Sequence, residues 1–240
     1  MKHSMSEHEE KNFSAFQKKI GITFKNQNLL RQAMVHRSYL NENPSFELGH
    51  NERLEYLGDA VLELVVTDYL YMTFPEATEG DMTNWRASLV NSKMLSDIAK
   101  PLDIDPLLYL SRGESKDADG KARQYILTNA LEATIGAIYL DRGYTYAEKF
   151  IKKYIVPHLT TIIEKRLDVD PKSRFQELAQ EKIKITPHYE VLEESGPDHA
   201  KKFVIGIFLG KERIATGEGT SKQEAQVDAA QNALVAKGWT

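Results

Sequence analysis

The chain has 240 residues, 41% hydrophobic and 28% charged, with a formal net charge of −4 and a sequence pI of about 6.0. Such a composition supports a packed core in one large or two smaller domains, and it excludes a disordered chain and a uniformly cationic nucleic-acid binder. Cysteine is absent, which excludes disulfides, thiolate zinc sites and cysteine nucleophiles and agrees with a reducing compartment, here expected to be the cytoplasm.

The opening stretch MKHSMSEHEEKN is polar and partly acidic, without the apolar core of a secretory signal. No later run approaches the ~20 apolar residues that span a bilayer, so no membrane association is expected. Over residues 13–163 apolar positions recur at helical spacing, as in LLRQAMVHRSYL, RLEYLGDAVLELVVTDYLY, RASLVNSKMLSDIA and ILTNALEATIGAIYL, and this part is predicted to be all-helical. Breaks are expected at Asn43-Pro44, Phe74-Pro75, Lys100-Pro101 and Asp105-Pro106, and through the polar stretch 111–121.

The charged segment EKRLDVDPKS, residues 164–173, marks a domain boundary, because Pro171 disfavours a helical residue before it. Beyond it the pattern changes to a helix at SRFQELAQEK, alternating segments at HYEVLEES, KKFVIGIFLG and ERIATGEG, and an alanine-rich helix over 221–236. The predicted order is α-β-β-β-α. Phe203, Val204, Ile205, Ile207 and Phe208 are expected to form the sheet core.

Within the helical part, Glu52, Glu55 and Asp59 stand three and then four residues apart, which places three carboxylates on one helix face. Leu54, Leu57, Val61 and Leu62 supply the apolar face of the same helix. Like charges at this spacing repel, so the stripe needs either solvent or a cation. Glu132 lies in an otherwise apolar helix, where a carboxylate is costly to bury unless paired or metal-bound. Oxygen ligands from two helices suit a hard cation such as magnesium; zinc fits less well, since no pair of histidines has ligand spacing. His36, at a helix end and without the partners of a catalytic triad, is expected to be structural. Gly58 and Gly136 are expected to allow close packing.

NERLEYLGD resembles the signature of the ribonuclease III family, and MVHRSYLNEN, EGDMTNWRASLVNSKML, LYLSRGESK and NALEATIGAIYLD resemble its neighbouring blocks in the same order. SRFQELAQ, GPDHAKKF and TGEGTSKQEAQVDAA resemble a double-stranded RNA-binding domain. The resemblance covers nearly the whole chain. It implies a multidomain α and α+β protein: an all-α nuclease domain over residues 1–166, a linker over 167–171, and an α-β-β-β-α RNA-binding domain over 172–240.

The resemblance further implies that Glu55, Asp59 and Glu132 are metal ligands or hold metal-bound water, with Glu132 carrying the greatest effect, and that Glu52 shapes the catalytic cleft. The implied metal is magnesium, with manganese as a substitute. Asn129 belongs to the same metal set, but the family usually has Asp there, and an amide offers a neutral oxygen only. The implied activity is magnesium-dependent hydrolysis of double-stranded RNA to 5′-phosphate and 3′-hydroxyl ends. A homodimer would cut both strands and leave short 3′ overhangs, in processing of ribosomal, transfer and messenger RNA precursors. A duplex-binding protein whose cleavage is weakened by Asn129 is the alternative. Duplex contacts fall to Ser173, Gln176, Glu177 and Gln180 on the first helix of the second domain, His199 on the β1–β2 loop, and Ser221 and Lys222 at the start of the last helix. Where the family often has a further Lys, this chain has Gln223.

Overall fold

The computed structural model describes residues 7–116, 120–197 and 201–239. The chain divides into two compact units, Met1–Ile163 and Glu164–Thr240. The first is helical: α1 (Glu7–Ile20), α2 (Gln27–Ala33), α3 (Arg37–Glu42), α4 (Glu52–Thr73), α5 (Glu79–Leu89), α6 (Ser92–Ala99), α7 (Arg112–Lys116), α8 (Lys121–Arg142), α9 (Tyr144–Tyr154) and α10 (His158–Glu164, reaching one residue into the second unit).

Proline sets the helix ends. α3, α4 and α6 stop before Asn43-Pro44, Phe74-Pro75 and Lys100-Pro101, while Pro106 opens a short 3-10 turn at Asp105–Leu107. The polar stretch 111–121 is not wholly a break, because it contains α7; the Ser111 hydroxyl and carbonyl accept from Glu114 N and Ser115 N and start that turn locally.

α8 is the central helix. Leu131, Ile135 and Ile138 are fully buried, and α4, α6, α9 and α2 pack around it. The tightest approach is to α4. A Cβ built on Gly58 would stand 1.8 Å from the Glu132 carbonyl oxygen, and one on Gly136 would stand 2.2 Å from the Leu54 carbonyl oxygen. The two helices therefore touch backbone to backbone, which only glycine permits.

The second unit runs α11 (Pro171–Ile183), β1 (His188–Ser195), β2 (Lys202–Leu209), β3 (Glu212–Gly219) and α12 (Lys222–Lys237), with the strands antiparallel in the order β1-β2-β3. α11 begins two residues before the predicted start, since Asp170 caps it through the Lys172 and Ser173 amides and Pro171 fits its first turn. Residues 164–170 cluster with this unit, where Arg174 Nη1 donates to the Lys165 carbonyl at 3.0 Å.

Phe203, Ile205, Ile207 and Leu209 alternate along β2 and are buried, with Phe175 from α11 and Ala225, Ala229, Ala230 and Ala233 from α12. Val204 and Phe208 were expected in this core but are only half-buried. The two-residue period turns them to the other face, where Phe208 stacks on His188 at 5.3 Å.

Substituting Gly136→Ala should cost about 2 kcal/mol or more of stability, because the added methyl must push α4 away from α8. Urea unfolding of the variant and the parent checks this; equal midpoints would mean that the crossing is loose.

Candidate active site and RNA-binding surface

The backbone contact at Gly58 and Gly136 brings the first two turns of α4 alongside the middle of α8. Glu55 and Asp59 on α4 thereby come within electrostatic reach of Glu132 on α8. Burial first, and then the negative charges of Asp59 and Glu55, push the Glu132 carboxyl up to about 8. Glu55 is shifted the same way by burial, by Glu52 and by Asp59. Its Oε2 is buried and has no hydrogen-bond partner. A part-buried, mutually repelling group with an unpartnered carboxylate oxygen fits a cation. As placed, no group of three or more His, Asp or Glu side chains among the described residues stands ready to hold an ion.

Glu52 lies at the edge of this group. Its carboxylate is 3.8 Å from Arg37 and 3.6 Å from His50, with the side chain 48% exposed. Asn129, half-buried and three residues before Glu132, lines a cleft of about 490 Å³ together with Glu52, His36, Arg37, Ser38 and Glu114. His36 caps α3: its Nδ1 accepts from the Ser38 amide and lies 2.8 Å from the Ser38 hydroxyl, and burial lowers its pKa. Ser38 Oγ in turn accepts from the Ser111 amide at 3.1 Å, tying the two sides of the cleft.

Sequence reasoning missed Arg37 and Glu114 as cleft residues. They sit in the HRSYL and SRGESK blocks but 77 positions apart, so nothing local in the sequence joins them.

In the second unit Ser173, Gln176, Glu177 and Gln180 are all exposed on α11, opposite buried Phe175 and Ala179. Gln180 Nε2 donates to Thr186 Oγ1. Ser221 is the N-cap of α12, its Oγ accepting from Glu224 N at 3.1 Å, so its side chain is already engaged. Lys222 is exposed, with its ammonium 5.7 Å from the centre of the Phe203 ring. Gln223, next to it, is also exposed. His199 lies outside the described residues.

Residues 26–159 match the family model described as Ribonuclease-III-like, and residues 171–235 match the double-stranded RNA binding motif. The chain belongs to the ribonuclease III family. A protein of Chloroflexus aurantiacus named Ribonuclease 3 is 43% identical over 219 residues, 90% of this chain and 88% of that one. A Ribonuclease 3 of Carboxydothermus hydrogenoformans is 42% identical, covering 94% of this chain and 96% of that protein. The solved nuclease domain of ribonuclease III from Campylobacter jejuni, described with a flexible region involved in dimer formation, aligns at a TM-score of 0.55. It is 38% identical and covers 61% of this chain and 97% of the solved one.

The two matched domains make the chain an endoribonuclease of double-stranded RNA. A duplex-binding protein without cleavage is not favoured, since these relatives are named as nucleases. Ribonuclease III enzymes are metal-dependent. Among the described residues no helix is long and apolar enough to cross a membrane.

Without metal, the fold keeps Glu132 protonated to about pH 8, while the unfolded chain releases that proton near 4.5. The folded state then binds more protons across this interval, so stability falls as pH rises through it. Glu132→Gln removes that dependence, and in chelator its melting temperature should exceed the parent's by more at pH 9 than at pH 5. An equal offset at both pH values would show that Glu132 carries no such burden.

Proposed function

We propose that Glu55, Asp59 and Glu132, with Asn129 beside them, hold magnesium, or manganese in its place, and that this centre hydrolyses the phosphodiester backbone of duplex RNA. The observation that carries this reading is the part-buried carboxylate group spanning α4 and α8, with Glu55 Oε2 unpartnered and Glu132 held protonated. A cation held by these residues would supply the missing counter-charge and Lewis acidity toward a phosphate oxygen and a water.

The chain's own residues do the rest. Glu132 would give up the proton that burial favours and ligate as an anion beside Glu55, with Asp59 adding charge from the solvent side and Asn129 a neutral oxygen. Glu52, 3.8 Å from the Arg37 guanidinium, shapes the wall of the cleft where the strand lies. The products are 5′-phosphate and 3′-hydroxyl ends.

Two copies of the nuclease unit complete the enzyme. Tyr56, Leu64 and Tyr71 on α4 are 82%, 57% and 70% exposed, and their spacing puts them on one face. An apolar stripe of this kind is buried by a homodimer, in which each copy cuts one strand and leaves a short 3′ overhang. Residues 1–163 carry the chemistry. Residues 164–240 read the duplex by shape, through the polar face of α11 and through His199, Ser221 and Lys222, with backbone amides at the start of α12 on phosphate. Ribosomal, transfer and messenger RNA precursors in the cytoplasm are the substrates.

A labelled duplex should be cut by the parent in magnesium and left intact in chelator. Glu132→Gln should bind it normally but cut at least about 100-fold more slowly. Equal cutting by the variant would overturn the acidic site. Asn129→Asp, by adding a charge to the same position, should lower the magnesium concentration that gives half-maximal rate, and no change would remove Asn129 from the metal set.

For the second unit, Lys222→Ala should weaken duplex binding uniformly across sequences and lower the slope of log affinity against log salt by about one. An unchanged slope would mean that Lys222 does not meet phosphate.

A further inference from the structure

An asparagine just before a helix usually turns its side chain onto that helix's first amides, which makes it a favoured N-cap. Asn26 and Asn91 do so at α2 and α6, accepting from the Asn28 and Met94 amides. Asn51 holds the same position before α4, and its side chain makes no cap. It is 3% exposed, its Nδ2 donates to the Ala33 carbonyl at 3.2 Å, and its backbone N–H donates to the Val35 carbonyl at 2.9 Å. Its own carbonyl accepts from the Leu54 and Glu55 amides at 2.8 and 2.9 Å. One buried residue thus fastens the turn that carries Glu52 and Glu55 to the last residue of α2 and the segment that follows it.

That segment is itself held. Val35 and Tyr109 form a parallel bridge, with the Tyr109 amide donating to the Met34 carbonyl and the His36 amide donating to the Tyr109 carbonyl. Buried Arg31 donates from Nε to the Tyr109 hydroxyl at 3.0 Å, and its guanidinium lies over the Phe46 ring. Asn51 is therefore tied to a rigid support.

The Gly58–Gly136 contact, which reaches back to the Leu54 carbonyl, fixes the distance between α4 and α8 but does not touch the first turn of α4 at Glu52. Asn51 supplies a second fixed point seven residues before Gly58, about 10 Å along the axis, at the end that carries Glu52 and Glu55. We propose that Asn51 is a positioning residue for the nuclease reaction, holding the first turn of α4 at the rotation that aims Glu55 at Glu132. The inference rests on the acidic-site reading above. It also explains why the side chain forgoes the cap that its position offers.

The test uses Asn51→Ala and Asn51→Ser in the full-length protein, with Glu55→Gln as control. Serine caps a helix well but is too short to reach Ala33, so it separates capping from positioning. Below the melting temperature both variants should lose about 100-fold in kcat. Manganese binding to the metal-free protein, read by electron paramagnetic resonance, should weaken at least about tenfold. Duplex binding in chelator should stay at the parent's level, and Ser should do no better than Ala.

Recovery of kcat and manganese affinity in Asn51→Ser would overturn the inference, because helix capping would then suffice. A lower melting temperature in both variants with unchanged kcat and manganese affinity would overturn it too, leaving Asn51 a purely structural residue. Cleavage by Glu55→Gln at the parent's rate would overturn the acidic-site reading, and this inference with it.

Discussion

The contact on which the nuclease unit depends is the backbone crossing of α4 and α8 at Gly58 and Gly136. With no Cβ at either position, two helices can approach more closely than side chains ordinarily permit. Everything at the acidic site follows from that approach. Glu55 and Asp59 lie within a turn of Gly58, and Glu132 lies one turn before Gly136, so tightening the crossing forces the carboxylates together. The glycines also let α8, buried on nearly all sides, serve as the axis of the helical unit.

This arrangement sets folding against function. Apolar packing along α4 and α8 favours the close crossing, while the carboxylates it gathers favour separation and solvent. Protonation of Glu132 relieves part of the conflict in the metal-free protein, and a cation would relieve it while leaving the carboxylates ionised. A group that is unfavourable for stability but persists because the surrounding core is strong is what a catalytic site is expected to be. The fixed platform formed by Tyr109, Val35 and Asn51 belongs to the same logic, since carboxylates that repel one another need rigid supports.

The second unit solves a simpler problem. α11 and α12 bury Phe175 and a run of alanines against one face of a three-stranded sheet, and small residues let α12 lie close on β3 at Gly217. Because the apolar residues of α11 point inward, its polar residues necessarily form a continuous outward face. That polar face is a by-product of ordinary amphipathic packing.

That difference explains what was legible from the residues alone. Helix and strand periods, proline breaks, capping residues and the spacing of Glu52, Glu55 and Asp59 are local, so the two-unit architecture, the strand limits and the acidic stripe could be read directly from the sequence. The resemblance of whole motif blocks supplied the family in the same way. Local pattern misplaced Val204 and Phe208 in the core, because only the sheet's two faces decide which side is covered. It could not bring Glu132 beside Glu55 by spacing, put Arg37 and Glu114 on one cleft, or turn Asn51 away from its own helix toward Ala33. Those placements join residues 18 to 77 positions apart. They are decided by how helices cross and by which buried polar group finds a partner, and neither is a property of any one segment.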